Sequence, residues 1–364
     1  MDLKEFDASA FKTASSLNSL SPYIGRLRPE CAQLLIDNYA NKNKPIFDPF
    51  CGSGTVLLQG WKNGFDVYGN DLNPYAVLLA NGKTHPYATL DQALAQISNY
   101  QNFVNRYISK VNLESVPEWV KSFFHPDTLS EILGWVYYLK RNHEWFLLSC
   151  LMGILHHQRP SFLSYPASHG APYLRTTKYP REQYPEMYEY RNVYEKLTEK
   201  IMRVYKNFPT LDYNIIRKVC NKDASKMHLN NIPTSTIITS PPYMKSLTYA
   251  RDNRLRLWFL GESNCQELDQ KISPNTQDFN IMISNCINKW ANYQECHDRC
   301  VIVIGDIFVN IDKQKLSLAQ LIENKAKKYY SILDTFKDPI PESRKLVKGN
   351  TRIKQEIIVV LERK

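Results

Sequence analysis

One short segment of this sequence combines residue types that suit chemistry on a nitrogen atom. Ser240 is followed by two prolines and a tyrosine, directly after the β-branched run 236–239. Consecutive prolines remove two backbone donors and fix two φ angles, which leaves the oxygen atoms of the turn pointing outward. Oxygen acceptors on the hydrogens of a ring-bound amine favour the pyramidal geometry in which this weak nucleophile attacks. The segment therefore predicts a catalytic turn, although the same pattern also fits a turn that only ends a strand.

Each residue of this turn has an expected part. The Ser240 hydroxyl and the Pro241 carbonyl would accept hydrogen bonds from the amine. Pro242 completes the turn, and Tyr243 would stack on the ring that carries the amine. The sequence contains no Pro-Cys dipeptide, so it does not predict a cysteine nucleophile for covalent attack on a ring carbon.

A glycine-rich turn predicts a ligand-binding loop. Residues 48–55, DPFCGSGT, stand between a predicted strand and a predicted helix, where glycines let the backbone approach a ligand closely. The loop lacks the GK[ST] ending of a loop that binds nucleoside triphosphates and the full GxGxxG motif of a loop that binds NAD. Asp71 follows the next strand at the distance from which a carboxylate meets ribose hydroxyls. A turn without a ligand, and Asp71 as a helix cap, remain the alternatives, although Asn73 is better placed to cap.

The elements that must position these residues are those of an α/β protein. A strand–turn–helix pattern is repeated along the chain. This pattern predicts a parallel sheet that binds ligands at the ends of its strands. Between about residues 90 and 208 the pattern changes to long helical stretches, including a run from Tyr184 to Tyr205, which indicates an insertion. The predicted strands are 45–48, 65–70, 236–240, 301–305 and 356–361.

The composition favours a polyanionic partner. Lysine and arginine number 46 against 36 aspartates and glutamates, a net charge of +10. Residues 156–181 intersperse basic and aromatic side chains, a mixture that suits phosphate and base contacts. The candidate contacts there are Arg159, Arg175, Lys178 and Arg181.

The cysteines and the first residues indicate the compartment. The eight cysteines lack CxxC pairs, and neither the Cys296–Cys300 cluster nor the paired histidines at 156 and 157 has the further ligands of a metal site, so we predict reduced thiols and no metal. The first residues do not resemble a secretory signal, and no stretch predicts a membrane span. We therefore expect a cytoplasmic protein.

Taken together, these motifs resemble the amino-methylating DNA methyltransferases, specifically the SPPY group that methylates the N4 amine of cytosine. The resemblance implies a class I methyltransferase fold: a Rossmann-like α/β sheet of seven strands, the last antiparallel, with a mainly helical insertion. It implies S-adenosyl-L-methionine (SAM) as cofactor, duplex DNA as substrate, flipping of the target base, and a cognate restriction endonuclease as a partner. The expected division is a SAM-binding half at 1–90, a target-recognition insertion at 91–208 and a catalytic half at 209–364.

The resemblance also assigns residues. Asp71 would bind the ribose, and Asp223 would accept from the adenine amine, although a surface aspartate fits position 223 equally well. Tyr249 and Arg251 match a tyrosine-x-arginine pair and are expected to contact nucleic acid. The remaining residues of the cofactor pocket would be Tyr23, Asp48, Phe50, Gly52, Gly54 and Thr55.

Three other functions stay open at the level of sequence. Aspartate heads the proline motif more often in the adenine-N6 enzymes, so Ser240 favours cytosine. An RNA enzyme that methylates the guanine N2 amine would use similar chemistry. A silent subunit that only binds nucleic acid would not need the intact motifs.

Overall fold

A computed structural model describes residues 15–242, 248–311, 314–339 and 355–364. Seven strands of these segments form one sheet in the order β3-β2-β1-β4-β5-β9-β8, and β6 and β7 form a separate hairpin. Neighbours among the first five strands of that order are parallel, whereas β9 runs antiparallel to both β5 and β8. This order, with an antiparallel last strand, is that of the class I methyltransferases and confirms the predicted fold. The strands are β1 Ile46–Asp48, β2 Val67–Asn70, β3 Arg217–Cys220, β4 Thr236–Thr239, β5 Arg299–Gly305, β6 Phe308–Ile311, β7 Gln314–Ser317, β8 Tyr330–Pro339 and β9 Gln355–Arg363.

Helices cover both faces of the sheet, which explains its apolar inner strands. Every residue of β1, β2 and β4 is buried, as expected for parallel strands covered on both sides. Successive side chains enter opposite layers: Ile46 joins one apolar cluster and Phe47 the other. The helices are α1 Pro29–Tyr39, α2 Thr55–Lys62, α3 Pro74–Thr84, α4 Leu90–Ile108, α5 Glu118–Lys121, α6 Pro126–Arg141, α7 Trp145–Gly153, α8 Val193–Tyr205, α9 Arg254–Leu260, α10 Cys265–Ile272, α11 Thr276–Tyr293 and α12 Leu318–Ala326.

The helices α4 to α8 lie between α3 and β3 in the chain and pack on one face of the sheet. Contact between α7 and α3 is close, because a Cβ on Gly82 would meet the Ser149 Oγ at 2.2 Å. The Ser149 hydroxyl donates to the Leu78 carbonyl at 3.1 Å. These helices share one apolar cluster with α1 and α2, so the insertion is joined to the sheet. Its limits at 91 and 208 remain a prediction.

The helical run predicted from Tyr184 to Tyr205 is wrong in its first part. Only α8, from Val193, is an α-helix, and a short 3-10 turn at Pro185–Tyr188 precedes it. Pro185 lacks a donor, and the Asn192 side chain caps α8 by accepting from the Glu195 N–H at 3.0 Å. The capping residue therefore sets where the helix begins. Among the described residues, no helix combines the length and apolar character needed to span a bilayer.

Candidate cofactor and catalytic site

The carboxyl ends of β1, β2, β3 and β4 open onto one cavity of about 510 Å³. The strand order reverses at β1, which has β2 on one side and β4 on the other, and ligands of open α/β sheets bind at such a point. The volume suits a small organic ligand. Of the residues predicted to form the site, those that line the cavity are Tyr23, Asp48, Phe50, Gly52, Thr55, Asp71, Asp223, Ser240, Pro242 and Tyr249.

The glycine loop is shaped by positive φ angles and by close helix packing. Gly52 has φ +49° and Gly54 has φ +77°, a region that favours glycine. A Cβ on Gly54 would lie 2.8 Å from the Ala80 Cα, so α2 and α3 approach there only because the side chain is missing. Gly54 caps the N-terminus of α2 and is not among the described residues that line the cavity. Its part is to bring α2 close to α3.

Asp71 connects the glycine loop to the start of α3. One carboxylate oxygen accepts from the Gly52 N–H at 2.8 Å, and the other accepts from the Asn73 N–H at 2.9 Å. Each oxygen can accept a second hydrogen bond. The Asn73 side chain caps α3 by accepting from the Tyr75 N–H at 3.0 Å, so capping is not left to Asp71. Burial raises the pKa of Asp71 to about 6, against the opposing effect of the backbone donors.

Asp48 joins β1 to β4 directly behind the catalytic turn. Its Oδ1 accepts from the Thr239 hydroxyl at 2.7 Å and from the Phe50 N–H at 3.2 Å. Thr239 immediately precedes Ser240, so this one carboxylate holds the glycine loop and the catalytic turn in register. Only 3% of Asp48 is exposed, and that burial raises its pKa to about 7.

The proline turn at 240–242, which the sequence predicts to be catalytic, forms part of the cavity wall. Ser240 and Pro242 line the cavity, and Pro241 is buried beside them. Tyr243 lies outside the described residues. Because Ser240 and Asp71 line the same cavity, the structure brings the two ends of the predicted site together.

Tyr249, predicted to contact nucleic acid, lines this cavity and stacks on Tyr23, with ring centroids 6.4 Å apart and planes at 29°. Asp269 fixes the chain after Tyr249, because its carboxylate accepts from the Ala250 N–H at 2.6 Å and the Arg251 N–H at 2.9 Å. Arg251 is exposed and is not among the described lining residues. Asp269 was missed, since a single acid in an amphipathic helix resembles a solvated residue.

Asp223 follows β3 and reaches the same cavity beside the Asp71 loop. Its Oδ1 accepts from the Ser225 N–H at 2.9 Å and from the Ser225 hydroxyl at 2.7 Å. The Lys226 ammonium lies 3.3 Å from its Oδ2. Burial opposes ionisation of Asp223, but these donors outweigh it and lower the pKa. The Asp223 carboxylate is therefore a charged acceptor at the cavity wall.

A further wall comes from residues that follow the catalytic motif. The helices α10 and α11 and the turn between them close this side, and sequence analysis did not identify any of their residues. Their mixture of polar and apolar side chains is that of any surface helix, so no signal distinguished them. They are Gln270, Lys271, Ile272, Pro274, Asp278, Ile281, Met282 and Asn285.

The four basic residues predicted in the insertion lie elsewhere. Arg159, Lys178 and Arg181 are exposed, and Arg175 is half-buried and donates to the Gln158 side chain. None of the four is among the described lining residues of the cavity.

Two arginines of α9 tie the insertion to the helix that follows the catalytic turn. Arg254 donates to the Pro172 carbonyl, and the Arg256 Nε donates to the Met152 carbonyl at 3.1 Å. Pro172 stands within the segment 156–181 that carries the four basic residues. The basic segment is thus held against α9.

No family model matches the chain. One segment is 46% identical over 43 residues to the Type II methyltransferase M.MvaI of Kocuria varians, which is 12% of this chain and 10% of that protein. Another match, to the Type II methyltransferase M.MjaII of Methanocaldococcus jannaschii, is 32% identical over 71 residues, 20% of this chain and 13% of that protein. The matched segments therefore span only about a tenth of each relative's length.

Among solved structures, TrmN from Thermus thermophilus is similar with a TM-score of 0.37 and 11% identity, over 94% of this chain and 50% of that one. That likeness is weak, and the strand order identifies the fold by itself. The chain has the fold of the class I SAM-dependent methyltransferases, and SAM is the cofactor that its fold and cavity imply.

Proposed function

We propose that this protein is a DNA methyltransferase that transfers a methyl group from SAM to the exocyclic N4 amine of a cytosine in duplex DNA. One observation carries the proposal: the turn at Ser240–Pro242 and the carboxylate of Asp71 line the same cavity. The local similarity to two Type II methyltransferases supports action on DNA. The glycine loop, the acid after β2 and the proline turn are all intact, which argues against a silent subunit.

The chemistry of the cavity wall fits SAM. Asp71 offers acceptors for ribose hydroxyls, and Asp223 offers a charged acceptor for the adenine amine. The Thr55 hydroxyl is buried and has no hydrogen-bond partner among the described residues, so a polar ligand group would satisfy it. When bound, SAM supplies an electrophilic methyl group. The protein's own contribution is to bind and orient the cofactor and to exclude water from the cavity.

Ser240 and Pro241 act on the amine itself. The lone pair of a ring-bound amine is delocalised, so the amine must be held in a geometry that frees this pair for attack. The Ser240 hydroxyl oxygen and the Pro241 carbonyl accept its two hydrogens and stabilise the positive charge that develops on nitrogen. Asp48 keeps these acceptors in position through Thr239. Transfer is direct, and no cysteine forms a covalent bond to the base.

DNA must bind so that one base leaves the duplex. A base inside a helix cannot reach a cavity at the end of a sheet, so it is extruded and stacked on an aromatic ring, for which Tyr243 is our candidate. Phosphate contacts are assigned to the segment 156–181, which α9 fixes to the catalytic half. The net charge of +10 supports this assignment.

Cytosine is proposed over adenine because serine heads the motif. Adenine N6 is the first alternative and guanine N2 in RNA is the second, since each presents a ring-bound amine to the same acceptors. A cognate restriction endonuclease as partner and a cytoplasmic location are parts of the proposal.

Nucleoside analysis tests the proposal. The protein is incubated with methyl-labelled SAM and either duplex DNA or tRNA. The nucleic acid is then digested to nucleosides, which are identified by mass spectrometry. N4-methylcytosine from DNA is expected, and Ser240→Ala should reduce its yield while leaving SAM affinity unchanged. Labelled 6-methyladenine would overturn the choice of cytosine as the base, and N2-methylguanine in tRNA would overturn the choice of DNA as the substrate. SAM binding without any product would indicate a silent subunit.

A further inference from the structure

A lysine lies buried beneath the glycine loop without an acidic partner. Lys83, on α3, is only 1% exposed, and its ammonium nitrogen is 3.0 Å from the Ser53 hydroxyl. Among the described residues no carboxylate lies within ion-pair distance of Lys83, and the charged or thiol groups that act on it are Arg26 and Cys51. A buried lysine is ordinarily paired, because an isolated charge in the interior is costly. This one is not explained by packing alone.

Two residues near Lys83 line the cavity. Ser53 and Arg26 both line it, next to Gly25 and Gly52. In the proposed function, Asp71 and Asp223 bind the ribose and the adenine of the cofactor near the ends of β2 and β3. The amino-acid part of SAM then extends the other way, toward Ser53 and Arg26. That part carries a carboxylate, the one anionic group of the ligand.

The two lysines that line the described cavity wall are already paired with acids. Lys226 is paired with Asp223 at 3.3 Å, and Lys271 is paired with Glu267 at 2.6 Å. Arg26 donates to a backbone carbonyl, that of Asn18. Among the described lysines at and beneath this wall, Lys83 alone has no acid within ion-pair distance.

We propose that Lys83 is a positioning residue for SAM, which holds Ser53 and supplies the buried positive charge that the methionine carboxylate of the cofactor neutralises. This inference rests on the proposed cofactor but not on the proposed base or polymer. Burial, reinforced by repulsion from Arg26, lowers the pKa of Lys83 well below its ordinary value in the free protein. The ligand carboxylate restores the missing counter-charge, so binding of SAM is coupled to uptake of a proton by Lys83.

Calorimetry with two ligands tests this coupling. S-adenosylhomocysteine (SAH) keeps the amino acid, whereas 5′-methylthioadenosine lacks it and shares the adenosine. Lys83→Met should weaken SAH binding by about tenfold or more, because the buried counter-charge of the carboxylate is lost, and should change 5′-methylthioadenosine binding less than about twofold. The matched control is Lys62→Met on α2, which removes a partly buried lysine whose ammonium donates to Gln59 at 3.2 Å. It should leave both affinities unchanged.

A merely structural lysine gives a different result. If Lys83 only supported the loop, Lys83→Met would weaken both ligands equally and lower the melting temperature. On our proposal the unliganded variant melts at the same temperature or higher, because a buried amine has been replaced by an apolar side chain. Ser53→Ala leaves the lysine in place. It should also weaken SAH binding more than 5′-methylthioadenosine binding, but by less than Lys83→Met does.

The unmodified protein offers a test that does not depend on a variant folding. Binding enthalpies measured over a series of pH values in buffers of different ionisation enthalpy give the number of protons taken up at each pH. Uptake is expected with SAH and not with 5′-methylthioadenosine. Equal uptake with both ligands would overturn the assignment of Lys83. Failure of SAM and SAH to bind at all would instead overturn the proposed function.

Discussion

The buried carboxylate of Asp48 should make the free protein lose stability as the pH rises. Its pKa is about 7 in the folded protein against 3.8 for an ordinary aspartate. Between these values the folded state holds a proton that the unfolded state has lost. The free energy of unfolding therefore falls with increasing pH across this window. Shifting the pKa from 3.8 to about 7 corresponds to about 4 kcal/mol at 1.36 kcal/mol per pH unit.

Asp48→Asn isolates this contribution. An amide oxygen can still accept from Thr239 and Phe50, but it carries no charge to bury. Urea unfolding at about pH 5.5 and about pH 8 should show the unmodified protein losing roughly 2 kcal/mol more than the variant between the two conditions. The control Asp37→Asn removes an exposed carboxylate of α1 and reports the effect of one lost charge by itself. Identical pH dependence in the unmodified protein and in Asp48→Asn would refute the argument.

Four further expectations concern the site and its surroundings. Asp71→Ala should weaken SAM binding by about 1.5 to 3 kcal/mol, and unchanged affinity in calorimetry would remove Asp71 from the site. The affinity for duplex DNA should fall steeply with salt, and the combined change of Arg159, Lys178 and Arg181 to alanine should reduce both the affinity and the salt slope; an unchanged slope would place the DNA surface elsewhere. Gly54→Ala should lower the midpoint of urea unfolding by an amount equivalent to about 1 to 3 kcal/mol, because its methyl group would overlap α3, and a stable variant would contradict the close packing. DNA containing 5-fluorocytosine should not trap the protein, whereas a covalent adduct resistant to denaturation would contradict direct transfer.

Most of the sheet could be predicted because its inner strands are continuous apolar runs. The edge strands β3 and β8 were missed for the opposite reason. In β3 no residue is fully buried, and Arg217 and Lys218 give it the composition of a loop. An edge strand has one neighbour and needs few apolar residues, so its sequence carries little signal.

Site residues could be predicted where they belong to a local sequence motif. They could not be predicted where a side chain contacts a residue that is distant in the sequence. Residues of the glycine loop, Asp71 and the proline turn line one cavity, and their roles there remain predictions. Sequence analysis did not identify Asp269 or Lys83, because each acts through a contact with a residue distant in the chain. Asp269 accepts from the backbone at 250 and 251, and Lys83 contacts Ser53. Tyr249 lines the cavity and stacks on Tyr23, a placement that local sequence does not encode. Whether it also meets nucleic acid remains a prediction.

The position of β9 has a consequence for the order of synthesis. β9 lies between β5 and β8, pairing with Arg299–Gly305 on one side and with Tyr330–Pro339 on the other. The ribosome makes both neighbours first, so β5 presents an unpaired edge and β8 lacks its partner until residues 355–363 emerge. Unpaired edges recruit other chains. Insertion of β9 therefore covers the exposed edge of β5 and leaves β8 as the outer strand. A pause in translation just before β9 would prolong the exposure of the β5 edge.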